Sequence, residues 1–390
     1  MLRISFLRVE WRILLIWGWI GEACDSSKCR GRISFFHEKD KYNIIRYICC
    51  NYFIAIVKTF KASNKSFLYP VSKTWKPVNF QGAGKKSHYF EGWYFKNVSA
   101  DQQHIWSVIP GISIENIEKQ HAFIQLINGK TAETWYVKYP IGSFSYSQRG
   151  FRVSIDNNTF SLQGISLDIA DEIEISGQIN FQNIHPLKSL LFNPGIMGWY
   201  SFVPFMECFH GLVSMDHDLS GQLKIDGKPV SFENGKGYSE KDWGRSMPEA
   251  WIWMQCNHFE QPRTSFMLSI AKIPWLKSSF TGFLCVLLLN GKIHRFATYT
   301  GARLKNLSVD TETVQIEISD KNYHLGISAR HAAHGLLAAP LSGAMDRRIA
   351  ESVDAEIMVR VTESSGKEIF SGTGKTAGLE LVGDMEELPV

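Results

Sequence analysis

From Lys73 onward the chain alternates apolar and polar residues in short runs, each closed by turn residues. A period of two places successive side chains on opposite faces of a strand, and no amphipathic helix of three turns competes with it. The pattern predicts strands over His88–Val98, His104–Ile112, His121–Ile127, Thr134–Tyr139, Phe151–Ile155, Ile165–Ile169 and Ile173–Phe181. Asn128-Gly129 and Asp156-Asn157-Asn158 sit between them as hairpin turns. After a Pro- and Gly-punctuated stretch from His185 to Pro204, strand signals resume at Glu207–Met215 and continue to Glu368–Ser371. Asp226-Gly227, Asn290-Gly291 and Ser365-Gly366 mark further turns. About seventeen such runs are too many for one small barrel of about eight strands. The chain is therefore expected to be all-β, with one unit over residues 71–190 and a second over 191–390, joined near 185–205.

Residues 1–70 do not fit that pattern. Residues 1–61 carry 11 Lys and Arg against 5 Asp and Glu, leaving 31 against 33 for the rest. The formal charge of +4 thus resides in the N-terminal segment, and a nucleic-acid partner, which needs a basic stripe on the folded domain, is not expected. Arg3 and Arg8 precede the apolar run Ile13–Ile20, imitating a signal peptide, but Glu10 and Arg12 crowd that run and Gly21-Glu22 fits poorly before Cys24. A second run, Tyr47 to Val57, falls short of the roughly 20 residues of a spanning helix. The segment reads as a poorly ordered extension or a mis-called start, with a membrane anchor as the alternative. Four of the 7 cysteines lie in the first fifty residues, and the others are widely spaced without a CxxC pair. That usage predicts reduced thiols in a cytoplasmic protein, with peripheral membrane contact as an option.

Cofactor motifs fail on inspection. Gly374-Lys375-Thr376 lacks the first glycine of a phosphate loop, since Ile369 stands there, and no helix follows. His331 and His334 have no acidic partners nearby, and Asp216-His217-Asp218 is split between two strand faces. No metal and no cofactor is expected.

Two segments stand apart. In His88-Tyr-Phe-Glu-Gly-Trp-Tyr-Phe-Lys96, a strand would align Tyr89, Glu91, Trp93 and Phe95, putting a carboxylate inside an aromatic row. In Gly237-Tyr-Ser-Glu-Lys-Asp-Trp-Gly244, Glu240, Lys241 and Asp242 read as a tight polar loop ahead of Trp243. Trp251, Trp253, Gln255 and Asn257 then share one face of the next strand. Tryptophan beside a carboxyl suits an apolar cavity that keeps the acid protonated. The plainer account has the tryptophans plugging barrel ends while Glu and Lys pair around them.

These two segments, with Pro248 and Trp251-Ile-Trp-Met-Gln-Cys-Asn257, resemble the tocopherol cyclase family, and the likeness runs from about Trp75 to Leu381. The resemblance implies two lipocalin-like (calycin-type) β units packed together around a hydrophobic ligand site. It also implies closure of a chromanol ring on a prenylated hydroquinone, in which an acid protonates the prenyl double bond and the phenol traps the cation. Under that reading Glu240 or Asp242 is the proton donor, with Glu91 in reserve. Trp93, Tyr89, Trp243, Trp251 and Trp253 line the site, and Gln255 or Asn257 orients the phenol. A non-catalytic carrier of an isoprenoid or lipid on the same fold is the alternative.

Overall fold

The computed structural model describes residues 73–275, 278–310, 313–330 and 332–390. The readings of residues 1–70, including Cys24, and of His331 fall outside them. Among the described residues every strand pairing is antiparallel. None of their helices is long and apolar enough to cross a membrane.

The first sheet has 12 strands. They are β1 (Tyr89–Val98), β2 (Ile105–Ile114), β3 (Gln120–Asn128), β4 (Thr134–Pro140), β5 (Phe144–Tyr146), β6 (Arg152–Ile155), β7 (Asn158–Ser161), β8 (Gly164–Ala170), β9 (Glu174–Gln182), β10 (Cys208–Ile225), β11 (Lys228–Ser231) and β12 (Gly235–Gly244). The second has 10 strands. They are β13 (Trp251–Cys256), β14 (Ser265–Trp275), β15 (Ser278–Leu289), β16 (Lys292–Ala297), β17 (Arg303–Val309), β18 (Thr313–Ser319), β19 (Tyr323–Arg330), β20 (Gly335–Leu341), β21 (Ala344–Glu363) and β22 (Glu368–Val382).

Each sheet curls around its own apolar core. In the first, edge-strand rings Phe144 and Tyr146 pack on Phe80, and Phe144 also stacks on Trp93 of β1. Val153, Phe160, Ile179 and Leu223 complete that interior. In the second, Phe296 of β16 meets Tyr323 of β19, closing a core of Phe266, Leu287, Ile316, Ile357 and Leu379. Two barrel-like β units packed together, as expected, is the architecture. Two of the predicted turns, Asp226-Gly227 and Asn290-Gly291, have positive φ at both positions, whereas in the Asn128-Gly129 turn the positive φ falls later, at Ala132.

The sheets divide between Gly244 and Trp251, beyond the expected 185–205. The segment after β9 crosses the molecule, but β10 to β12 then return to the first sheet. The supposed Glu240-Lys241-Asp242 loop is strand β12, seated between β1 and β10 in the middle of that sheet. Charge in that run suggests solvent, whereas each charged group here has a specific partner: Tyr238 and Trp253 for Glu240, Glu91 for Lys241 and His210 for Asp242.

Candidate active site

Antiparallel register fixes which side chains share a face of the β1–β12–β10 trio. Glu91 lies opposite Trp243 and Trp93 opposite Lys241, while Tyr94 lies opposite Glu240. On the other flank His210 lies opposite Asp242. Alternation therefore sends Lys241 and Trp243 to one side of β12, and Glu240 and Asp242 to the other.

The first side faces the barrel interior. Lys241, fully buried, ion-pairs with Glu91 at 2.6 Å and donates to the carbonyls of Pro77 (2.8 Å) and Asn79 (2.6 Å). Its ammonium lies 4.7 Å from the ring centroids of both Trp93 and Trp243. Glu91 also accepts from the Tyr89 hydroxyl (2.5 Å) and from the backbone N–H groups of Gln81 and Gly82. Burial lowers Lys241 to about 8, with the Glu91 carboxylate opposing the fall. The arrangement pins residues 77–82 across the barrel end, and Lys241 occupies the π faces of both indoles. Glu91, Tyr89, Trp93 and Trp243 are thus brought together, but apart from Glu240 and Asp242.

The second side faces the other sheet across a cavity of about 180 Å³. Its walls are mostly apolar: Phe90, Ile109, Phe123, Trp251, Trp253, Phe283 and Leu337 among them. Glu240 is 4% exposed and accepts from the Tyr238 hydroxyl (2.5 Å) and from Trp253 Nε1 (3.2 Å). His210 bridges the two carboxylates of β12: Nδ1 contacts Asp242 at 2.9 Å, and Nε2 stands 3.4 Å from Glu240 without hydrogen-bond alignment. Burial opposes a charge on the imidazole, but Asp242 and Glu240 outweigh it and hold the His210 pKa well above its ordinary value. Among the described residues these three are the group that could hold a metal ion. As they stand, the carboxylates sit on different ring nitrogens, which makes an ion-paired clamp rather than ligands converging on one point about 2 Å away.

The second sheet contributes two acids that the sequence did not single out. Glu351 of β21 and Glu380 of β22 are register partners, and both line the cavity. Tyr94 donates to Glu351 (2.7 Å) and Trp251 Nε1 donates to Glu380 (2.6 Å). Burial pushes Glu351 up to about 7, against the pull of the Tyr94 hydrogen bond. Burial and the neighbouring Glu351 push Glu380 well above the usual carboxylate range. No sequence motif links the two; only the β21–β22 register does.

Gln255 and Asn257 are buried between the sheets but do not line the cavity. Asn257 donates to Asp216 (3.1 Å) and to the Gly237 carbonyl (2.9 Å), while Gln255 lies 3.4 Å from the buried Lys96 ammonium. Of the Asp216-His217-Asp218 trio, both aspartates pair with Arg263, and His217 packs at a tilt against the Phe181 ring. Next to the cavity, and sharing Phe209 and His210 with it, a second cleft is lined by Lys85, His88, Phe205 and Arg245.

Comparison with known proteins places this geometry in context. The profile of a tocopherol cyclase-like family matches residues 140–383. A probable chloroplastic tocopherol cyclase of Oryza sativa subsp. japonica is 35% identical over 109 residues, 27% of this chain and 23% of that protein. A chloroplastic tocopherol cyclase of Zea mays is 27% identical over 206 residues, 48% of this chain and 41% of that protein. The chain thus spans less than half the length of either relative. Among solved structures, a kievitone hydratase from Nectria haematococca is similar at TM-score 0.44 and 12% identity, covering 77% of this chain and 89% of that one.

Proposed function

The chain belongs to the tocopherol cyclase-like family, and from that membership and the cavity we propose that it closes a chromanol ring on a prenylated hydroquinone. The observation that carries the reading is the apolar, indole-walled cavity into which several carboxyl groups project. Acid protonation of the prenyl double bond gives a tertiary cation, and the phenol oxygen captures it before water can. A water-poor site is required for that order of events. Glu240 and Asp242 reach the cavity and remain candidates for handling the proton; Glu91, on the opposite face of the sheet, does not. Trp253 lines the cavity and would stabilise a developing cation by about 0.5–2 kcal/mol, whereas the Arg347 guanidinium already lies 4.9 Å from the Trp251 ring centroid. The cavity volume is near the ~150 Å³ that accommodates a benzene ring, so it takes the hydroquinone head.

The test is incubation of the purified full-length chain with a prenylated hydroquinone. The chromanol has the substrate's mass, so chromatographic retention identifies it, and one deuterium enters from heavy water. Glu240→Gln and Asp242→Asn are expected to lower turnover while ligand affinity is kept. Tight binding of the quinol with no chromanol under any condition would favour the carrier instead.

A further inference from the structure

We propose that Glu351 and Glu380, on the wall facing Glu240, are the proton-donating pair of this cavity; the inference rests on the cyclase reading above. The pair is 1% and 8% exposed, held side by side by the β21–β22 register. Among the described residues neither carboxyl has an ion-pair partner; their hydrogen-bond donors are the neutral Tyr94 hydroxyl and Trp251 indole. Two buried carboxyls side by side without an ion-pair partner disfavour double ionisation, so one keeps a proton and donates it to the other. The charged groups that face them are Lys96 from β1, which favours ionisation of Glu351, and Glu240 from β12, which opposes it in both. Burial raises both above the ordinary glutamate value, and the neighbouring Glu351 raises Glu380 further while the contact with Glu380 lowers Glu351, so that Glu380 is the protonated member.

Such a pair suits a reaction that consumes no acid. The Glu380 O–H bond breaks as a C–H bond forms at the alkene carbon, leaving a tertiary cation beside a carboxylate. The phenol oxygen then bonds to the cationic carbon, and its proton passes to the vacated pair. One proton leaves the pair and one returns, so the product is an isomer and the site is reset. Glu240, already accepting from Tyr238 and Trp253 and standing 3.4 Å from His210, faces the pair across the cavity.

Infrared spectroscopy of the full-length protein and turnover of the prenylated hydroquinone together decide this. Expected are a carboxylic-acid C=O stretch at about pH 8 that shifts in heavy water and disappears in Glu380→Gln, and a roughly 10²–10⁴-fold loss of kcat in that variant. Glu351→Gln should keep substrate binding and displace the alkaline limb of the pH–rate profile; it also carries the test if Glu380→Gln does not fold. Absence of the protonated stretch, or turnover within tenfold of wild type in both variants, overturns the proposal and leaves the cyclase reading standing. A wild-type protein that makes no chromanol ends the cyclase reading and the pair's catalytic role with it, while the stretch still reports whether the pair holds a proton.

Discussion

Glu91 and Glu351 are both buried glutamates, yet they face opposite company. Glu91 has a lysine at 2.6 Å and three donors around it, and two of those donors, the Gln81 and Gly82 N–H groups, tie the segment ahead of β1 to the barrel. Glu351 has another glutamate, and burial sets its acidity at about 7. The consequence for stability has a definite sign. Between the ordinary glutamate value and about 7, folded Glu351 binds a proton that the unfolded chain has released. Its contribution is therefore full below the ordinary value and is lost as pH rises through about 7. Denaturant titrations at about pH 5 and about pH 8 should show wild type losing a few kcal/mol that Glu351→Gln does not lose. An equal slope in both proteins would mean the carboxyl is ionised throughout.

At the level of elements, legibility followed how cleanly each strand alternates. The runs from His88 to Phe181 and the Asp226-Gly227 and Asn290-Gly291 turns are readable because one face is core and those turn residues take positive φ. β17 and β20 were not read: Arg303–Val309 is mostly exposed, and Gly335–Leu341 is small and apolar without alternation. β12 was misread as a loop because a charged run inside a sheet is rare, and only tertiary partners make it tolerable. The candidate site shows the same limit. Glu240, Asp242, Trp251 and Trp253 were found through their motif, whereas Glu351 and Glu380 carry no local signal. The tryptophan wall depends on a glycine in β22: a Cβ on Gly378 would sit 2.5 Å from the Trp253 ring. Gly378→Ala should cost about 1–3 kcal/mol and tilt the indole away from Glu240. Near-ultraviolet dichroism and quinol binding would register the tilt; unchanged spectra and affinity would show that the ring has room to move.

The molecule as a whole has two cores but one shared face, and that decides how it should unfold. Polar ties cross between the sheets at several points: Tyr94 to Glu351, Asn257 to the Gly237 carbonyl, Ser113 to the Gly343 carbonyl, and Lys96 to the Thr376 carbonyl. Gln125 of β3 both donates to the Ala338 carbonyl (3.2 Å) and accepts from the Ala338 N–H (2.6 Å), closing a two-bond ring across to β20. If either barrel unfolded alone, it would strand these buried groups and expose the indole wall of its neighbour, a cost the remaining barrel cannot offset. Residues 73–390 should therefore melt as one unit, although chains of this size often separate into domains. Gln125→Ala tests this directly, since it leaves the Ala338 backbone groups buried and unpaired at a cost of about 1–3 kcal/mol. Calorimetry should show a single peak moved to lower temperature, and a quinol that binds the cavity should move that same peak upward. Two peaks, only one of them responding to Gln125→Ala or to ligand, would mean that the barrels are energetically independent and that the cavity between them is not a common core.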